Sequence, residues 1–351
     1  ADVAPLDANN RILVAQGLQR LKRGAGTPGV RALLRVARRE AEFATASDLA
    51  FAVGPRLNAA GRLSDMSTGI ECLLCDESLE AFRWAERLDA LNRERRSIET
   101  TMTEEAEAQV AALELGDATL PAGLCLFDEH WHPGIVGIIA SRVKDKTHRP
   151  VIAFAREGAD QLKGSGRSIP QLHMRDTIEH IAGQLPDAVK RFGGHAMAAG
   201  LTVSRDSFGE FAQAFAAYVE NDVTQEALNR TWVTDGELAP EQMNLTVAQR
   251  LRDAGPWGQG FPEPVFDGVF QVHDKRIVGG KHTRLTLRPI ADVVPPAAYE
   301  PVEAIAFNTD IDVFGEQPLH MVYRLDVNRF RGTERVQLVV EHVQVASARS
   351  L

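Results

Sequence analysis

Between Leu79 and Leu113 the positions Leu88, Leu91, Arg95, Ile98, Met102, Ala106, Val110 and Leu113 recur at three- and four-residue intervals, with charged residues in the gaps. Only a helix gathers that spacing onto one side. One uninterrupted helix of this length dictates how the rest of the chain is arranged. Its apolar stripe is narrow and its flanks are rich in Glu and Arg, so the expectation is a helix that bridges two domains rather than one nested in a core. The chain is read accordingly as a helical part over 1–76, a connecting helix over 77–115, an α/β domain over 116–222 and a β-rich domain over 230–351.

Upstream, Ile12, Leu13, Leu18 and Leu21, then Val30, Leu33, Leu34 and Val36, keep helical spacing and predict two helices split by a loop. The loop Gly24-Ala-Gly26-Thr-Pro-Gly29 matches a dinucleotide fingerprint, but a helix precedes it where that motif needs a strand. Ser47-Asp48 reads as a helix cap. The run Gly54-Pro-Arg56-Leu-Asn58-Ala-Ala-Gly61-Arg62 reads as an irregular break that is either a phosphate-facing loop or a solvated helix junction. Cys72 and Cys75 flank two leucines with no second ligand pair nearby, which favours buried thiols over a metal or redox pair.

After Gly116 the pattern changes. The apolar run 123–127, an amphipathic segment over 135–143 and the run 150–155 predict a strand, a helix and a second parallel strand. His130 and His132 follow the first strand, where open α/β sheets gather ligands. They lack a third metal ligand, so His132 is read as a phosphate or nucleobase contact. Gly164-Ser165-Gly166-Arg167-Ser168 and Gly193-Gly194-His195-Ala-Met-Ala-Ala-Gly200 read as two glycine-rich turns that either form a phosphate pocket around one imidazole or make a tight strand-to-helix corner. Phe208, Phe211, Phe215 and Val219 predict a closing helix.

Beyond 230, short alternating runs at 266–272, 283–287, 304–307, 319–325 and 336–345 predict five strands, with a helix over 245–254 ahead of them. Five strands of this kind fit a small closed barrel, commonly an OB-fold. Trp257, Lys281, Arg284, Tyr323, Arg329 and Arg331 interleave aromatic rings with cations, the combination that holds single strands by stacking and phosphate pairing.

The 351 residues carry a net charge of −9 with no uniformly apolar run long enough to span a bilayer. The expected setting is the cytoplasm, without a membrane partner and as a monomer. Overall acidity excludes a surface coated with positive charge but not a basic groove. The first residue is Ala1, and Ala1-Asp-Val-Ala-Pro-Leu6 reads like the end of a strand, so the chain is expected to be a fragment.

Five segments together carry a resemblance: Ala1–Leu6, Pro55–Arg62, Trp131-His-Pro-Gly-Ile-Val-Gly137, Gly164–Ser168 and Gly193–Gly200. With Gly255–Pro264 and Tyr323–Gly332, they resemble the RecJ group of the DHH phosphoesterase family along essentially the whole chain. The resemblance implies an α/β fold with the remnant of a DHH domain, a long connecting helix, a DHH-associated domain and an OB-fold. It also implies hydrolysis of single-stranded DNA from the 5′ end with Mn²⁺ or Mg²⁺, in DNA repair and recombination. On that pattern Asp2 is a metal ligand, and the paired aspartates and Asp-His-His run of the family are missing from this chain. Ser165 and Arg167 grip the 5′-terminal phosphate, and His195, between Gly193, Gly194 and the alanines, contacts the phosphate near the scissile bond. Arg56, Asn58 and Arg62 lie across an interdomain cleft that His132 completes. A single-strand-binding protein is a plausible further partner of the family. Two other classes stay open: a non-catalytic single-strand-binding module, and a phosphodiesterase for short oligonucleotides or cyclic dinucleotides.

Overall fold

The computed structural model describes residues 4–114, 120–280, 282–290, 300–307, 309, 315, 317–330 and 332–346. Along the chain come α1 (Ala8–Lys22), α2 (Pro28–Val36), α3 (Ala46–Asp48), a π-helical segment (Leu49–Val53), α4 (Gly54–Leu63), α5 (Ser67–Leu74) and α6 (Ser78–Glu114). There follow β1 (Leu124–Phe127), α7 (Val136–Thr147), β2 (Val151–Glu157), β3 (Gln161–Arg167), α8 (Met174–Gln184), β4 (Val189–Gly194), β5 (Ala198–Ser204) and α9 (Phe208–Asp222). The last part holds α10 (Leu245–Ala254), β6 (Phe266–Val278), β7 (His282–Pro289), β8 (Val302–Ala306), β9 (Leu319–Phe330) and β10 (Thr333–Val345). Local chemistry sets several starts. Asp7 caps α1 by accepting from the Asn10 amide, Pro28 occupies the first turn of α2, and Thr45 with Asp48 forms a capping box.

Contacts divide the chain into two compact units, one of Ala1–Gly26, Arg39–Phe51 and Trp232–Leu351, the other of Thr27–Arg38 and Ala52–Thr231. The second unit contains a five-stranded sheet in the order β1-β2-β3-β5-β4. Only β1 and β2 run parallel, joined through α7 as the strand-helix-strand pattern requires. One sheet face packs Phe154, Leu162, Leu201 and Val203 against Ile178 and Ile181 of α8 and Phe211, Phe215 and Val219 of α9. The opposite face at β1 and β2 is covered by Ile135, Ile139 and Val143 around α7 and by Met102, Ala106 and Val110 of α6.

Within this unit α6 packs against α2, α4 and α5 of the helical part and against α7 of the α/β part. Polar residues widen its narrow apolar stripe: Asn92, Arg95 and Glu99 are buried, and they hydrogen-bond to one another. Paired charges can sit inside where lone ones cannot.

In the first unit, β10-β8-β7-β6-β9 close into a barrel. Phe270, Leu285, Leu287, Leu319, Met321, Leu325 and Leu338 fill it, and Ala248 of α10 covers one side. Asn244 caps α10 by accepting from the Val247 amide. The segment before α1 joins this unit through the Leu6 amide, which donates to the Gln259 carbonyl at 2.6 Å, and through Arg11, whose guanidinium lies 3.6 Å above the Phe261 ring.

Candidate functional site

The two glycine-rich segments are not turns at a strand-to-helix corner. Gly164–Arg167 lies within β3, and Gly193–Gly200 is the hairpin that joins β4 to β5, with β5 paired to both neighbours. Register puts Ser165 beside Gly200, and Gly200 beside Gly193, while Arg167 pairs with Ala198. The hairpin tip is fixed from below, because the Ser168 amide donates to the Met197 carbonyl and the Met174 amide to the Ala196 carbonyl. Gly194 has φ +147°, and a Cβ there would come within 2.5 Å of the Ala198 carbonyl oxygen. Only glycine fits that corner. His195 follows with its amide closing the hairpin onto the Ala198 carbonyl at 2.8 Å and its side chain exposed at the tip. Ser168, the last residue of the other segment, is a buried structural hydroxyl that donates to the Leu172 carbonyl at 2.7 Å.

Arg167 points from β3 toward the start of α7. Its guanidinium donates to the Ser165 hydroxyl at 3.0 Å and to the Gly166 carbonyl at 2.8 Å. A Cβ on Gly137, in the first turn of α7, would come within 2.8 Å of that guanidinium and 2.9 Å of the Ser165 hydroxyl. No side chain caps this helix, so its first amides and the positive end of its dipole face the same place. Arg62 arrives from the end of α4 and donates to the Gly134 carbonyl at 2.9 Å. Among the described residues no carboxylate pairs with Arg62 or Arg167. Burial, and then the charge of Arg62, pull the Arg167 pKa below its ordinary value. Two like charges held together, half-buried and without a carboxylate partner among the described residues, are the arrangement that binding an anion requires.

The other residues singled out on the α4 side part ways. The Pro55–Arg62 run is α4 rather than an irregular loop. Arg56 is buried, its guanidinium 2.8 Å from the Asp89 carboxylate of α6 and donating to the Ala52 carbonyl at 2.7 Å. It ties α4 to α6, with Nε and both terminal nitrogens each meeting an acceptor there. Asn58 is exposed on α4. All three of these residues belong to the same unit as Ser165, Arg167 and His195. His132 uses its Nδ1 to accept from the Gly134 amide at 3.0 Å, which shapes the loop into α7 and leaves only Nε2 for a ligand. The loop is held a second time by Trp131, whose ring is buried and whose Nε1 donates to Glu105 of α6 at 2.9 Å.

A DHHA1 domain model matches residues 109–221, and a RecJ OB domain model matches residues 234–342. Over 98% of its length the chain is 49% identical to the single-stranded-DNA-specific exonuclease RecJ of Dickeya dadantii and 48% identical to that of Escherichia coli. This chain is a RecJ homologue. It spans 59% of the length of those two relatives. The crystal structure of RecJ from Thermus thermophilus in complex with Mn²⁺ is 26% identical, with a TM-score of 0.77 over 99% of this chain and 48% of that one. The fold is accordingly the RecJ-like α/β arrangement, with a DHHA1 domain and an OB domain.

On the OB domain the expected strand-binding residues also separate. Tyr323 is fully buried, packed edge-on against Phe270 in the barrel interior, and cannot stack on a base. Its position in β9 alternates with the outward Arg324, and the sheet's two-residue period decides which of the two faces solvent. Arg284 is held at 2.5 Å by Glu303 on the neighbouring strand. Trp257 is half-buried, stacked on Phe261 at 5.0 Å and donating to the Leu251 carbonyl. Arg329 is exposed, with its guanidinium 3.2 Å above the Phe43 ring. Asp2, Lys281 and Arg331 lie outside the described residues. Among the described residues no three His, Cys, Asp or Glu side chains group to hold a metal ion. No helix among them is long and apolar enough to cross a membrane.

Sequence reasoning placed Arg95 on the stripe of α6 and Gly137 in a motif but gave neither of them, nor Glu99, a role of its own. The four-residue spacing of Arg95 and Glu99 on one helix is a legible ion-pair signal. That Gly137 faces Arg167 is not, because the two are brought together only by the pairing of β2 with β3.

Proposed function

We propose that this chain is the DHHA1 and OB portion of a single-stranded-DNA exonuclease that hydrolyses phosphodiester bonds from the 5′ end, in DNA repair and recombination. One observation carries the reading: Arg62 and Arg167 meet at the uncapped start of α7 beside the Ser165 hydroxyl, with no carboxylate among the described residues to neutralise them. A terminal phosphate supplies both the missing charge and acceptors for a forked guanidinium, a hydroxyl and helix amides. An internal phosphodiester carries one charge fewer and a second sugar that must be accommodated. The site therefore reads a strand end, and anchoring the end sets polarity. His195, exposed on the hairpin beside Gly193 and Gly194, is placed to donate to the phosphate where the bond breaks, stabilising charge as it develops.

The similar structures contain Mn²⁺ or Mg²⁺, and the intact protein is proposed to use the same ions. The described residues of this chain do not form a site for them. Asp2 is proposed as a ligand from this chain, with further ligands from the part of the intact protein that this chain does not span. By itself the chain is expected to bind single strands without cleaving them, and the cyclic-dinucleotide alternative is disfavoured by the presence of a whole OB domain. On that domain Trp257 and Arg329 are the described residues retained as strand contacts, and Lys281 and Arg331 are retained from the sequence. A cytoplasmic monomer, with a single-strand-binding protein as a further partner, completes the proposal.

The test is the full-length protein with Mn²⁺ on single strands bearing a 5′-phosphate or a 5′-hydroxyl. Nucleotide release is expected to favour the phosphorylated end, and Arg167→Ala is expected to abolish the preference. Equal loss on both ends would count against the pocket, and no release from either would sink the enzyme.

A further inference from the structure

Gly134, in the loop that enters α7, is engaged through both of its backbone groups. Its carbonyl accepts from the Arg62 guanidinium at 2.9 Å, and its amide donates to Nδ1 of His132 at 3.0 Å. The Ile135 amide, in the same peptide unit as the Gly134 carbonyl, donates to the His132 carbonyl at 2.9 Å. His132 therefore holds the peptides on both sides of Gly134, one with its ring and one with its backbone. Glycine has no side chain to restrict its own dihedrals, so these two bonds do the restricting. Space allows nothing else, because a Cβ on Gly134 would lie 2.4 Å from the Arg62 carbonyl oxygen and 3.1 Å from Cε1 of the His132 ring. A side chain that accepts from the amide two residues on is the geometry of an Asx-turn, made here by an imidazole with Pro133 between. Trp131, buried and donating to Glu105 of α6 at 2.9 Å, fixes the residue before the turn.

Gly134 and Gly137 stand three residues apart at the head of α7, with the Arg62 guanidinium on the first and the Arg167 guanidinium against the space beside the second. One terminal nitrogen of Arg62 is given to Gly134, and no carboxylate among the described residues takes the others. A long cation without that anchor would sample many rotamers, and a ligand would have to order it on arrival. We infer that His132 is a positioning residue for the terminal phosphate: its Nδ1 fixes Gly134, and the Gly134 carbonyl fixes the Arg62 guanidinium beside Arg167 before the phosphate arrives. The inference rests on the phosphate reading of Arg62 and Arg167 proposed above. His132 acts through Nδ1 and the loop, and its Nε2 does not touch the ligand. The role demands one tautomer, because an accepting Nδ1 bears no proton and the neutral ring then carries its proton on Nε2.

Asparagine separates positioning from contact, since its Oδ1 can accept from the amide two residues on while nothing of it extends to where Nε2 lies. The experiment titrates the 351-residue chain with single-stranded oligonucleotides carrying either a 5′-phosphate or a 5′-hydroxyl. Expected is a fall of roughly three- to ten-fold in the phosphate-to-hydroxyl affinity ratio for His132→Ala, and a ratio within about two-fold of wild type for His132→Asn. In an Arg62→Ala background His132→Ala should lower the ratio no further, because the two residues act as one unit. Nitrogen NMR of the wild-type imidazole should show Nδ1 unprotonated and Nε2 protonated. Equal losses in the alanine and asparagine variants would put Nε2 on the ligand, additive losses would separate His132 from Arg62, and a proton on Nδ1 would remove the acceptor. Each of these overturns the inference while leaving the pocket standing, as does a change shared equally by the two strand ends. A wild-type ratio near one overturns the pocket itself, and the inference with it.

Discussion

Replacing Gly137 with alanine would test the phosphate site with one methyl group. The added carbon would lie 2.8 Å from the Arg167 guanidinium and 2.9 Å from the Ser165 hydroxyl. Unbonded atoms settle near about 3.5 Å, so the guanidinium must retreat by roughly 0.7 Å. That stretches its 3.0 Å bond to Ser165 and moves its fork off the line of the helix amides. The displaced groups are ends of side chains rather than backbone, so the fold can yield. Alanine is favoured over glycine inside a helix by up to about 1 kcal/mol, less in the first turn. Stability should therefore hold or rise slightly. Binding should not. A hydrogen bond to a charged group is worth about 1.5–3 kcal/mol, which converts to roughly a ten- to hundred-fold loss. Fluorescence anisotropy with 5′-phosphorylated and 5′-hydroxyl single strands, alongside thermal unfolding, separates the two effects. The phosphorylated strand should lose its advantage while Tm stays within a degree or two. An unchanged preference in a folded variant would refute the reasoning, because it would mean that the ligand does not use Arg167 in the position described.

Two further outcomes are expected. Gly194→Ala should cost on the order of 2 kcal/mol or more in urea unfolding, since φ +147° and a backbone oxygen 2.5 Å away leave no room for a methyl, whereas Gly193→Ala, which meets nothing within 4 Å, should be nearly neutral; equal effects would contradict the hairpin geometry. In the barrel unit, burial alone would raise the Asp267 carboxyl, but hydrogen bonds from Thr234 and His320 outweigh it and hold the pKa below the ordinary 3.8. A depressed carboxyl contributes stability above its unfolded pKa and loses it as pH falls through the folded value, so melting followed downward from pH about 6 should show wild type losing its margin over Asp267→Asn below pH about 4. A constant margin would show that the contacts do not favour the ionised form.

The elements of this protein are written locally. The three- and four-residue spacing over Leu79–Leu113 becomes α6, Asn244 caps α10, and the five alternating runs of the C-terminal part become the five strands of the barrel. Each depends on residues within a turn or a strand pair of one another, so periodicity suffices. Recognition of the family was equally a matter of ordered local motifs. What the side chains do was decided in space. Arg56, Arg62 and Arg167 look alike as glycine-flanked arginines, yet Asp89 neutralises the first and no carboxylate among the described residues answers the other two. Tyr323 was drawn inside by a strand whose inward face is set by its neighbours, and Arg95 became tolerable inside α6 because Glu99 and Asn92 meet it there. Charge, unlike helix or strand propensity, acts through space and is settled by partners remote in the chain, so residue identity could nominate all three arginines alike, and only the tertiary arrangement decided which of them meets a carboxylate.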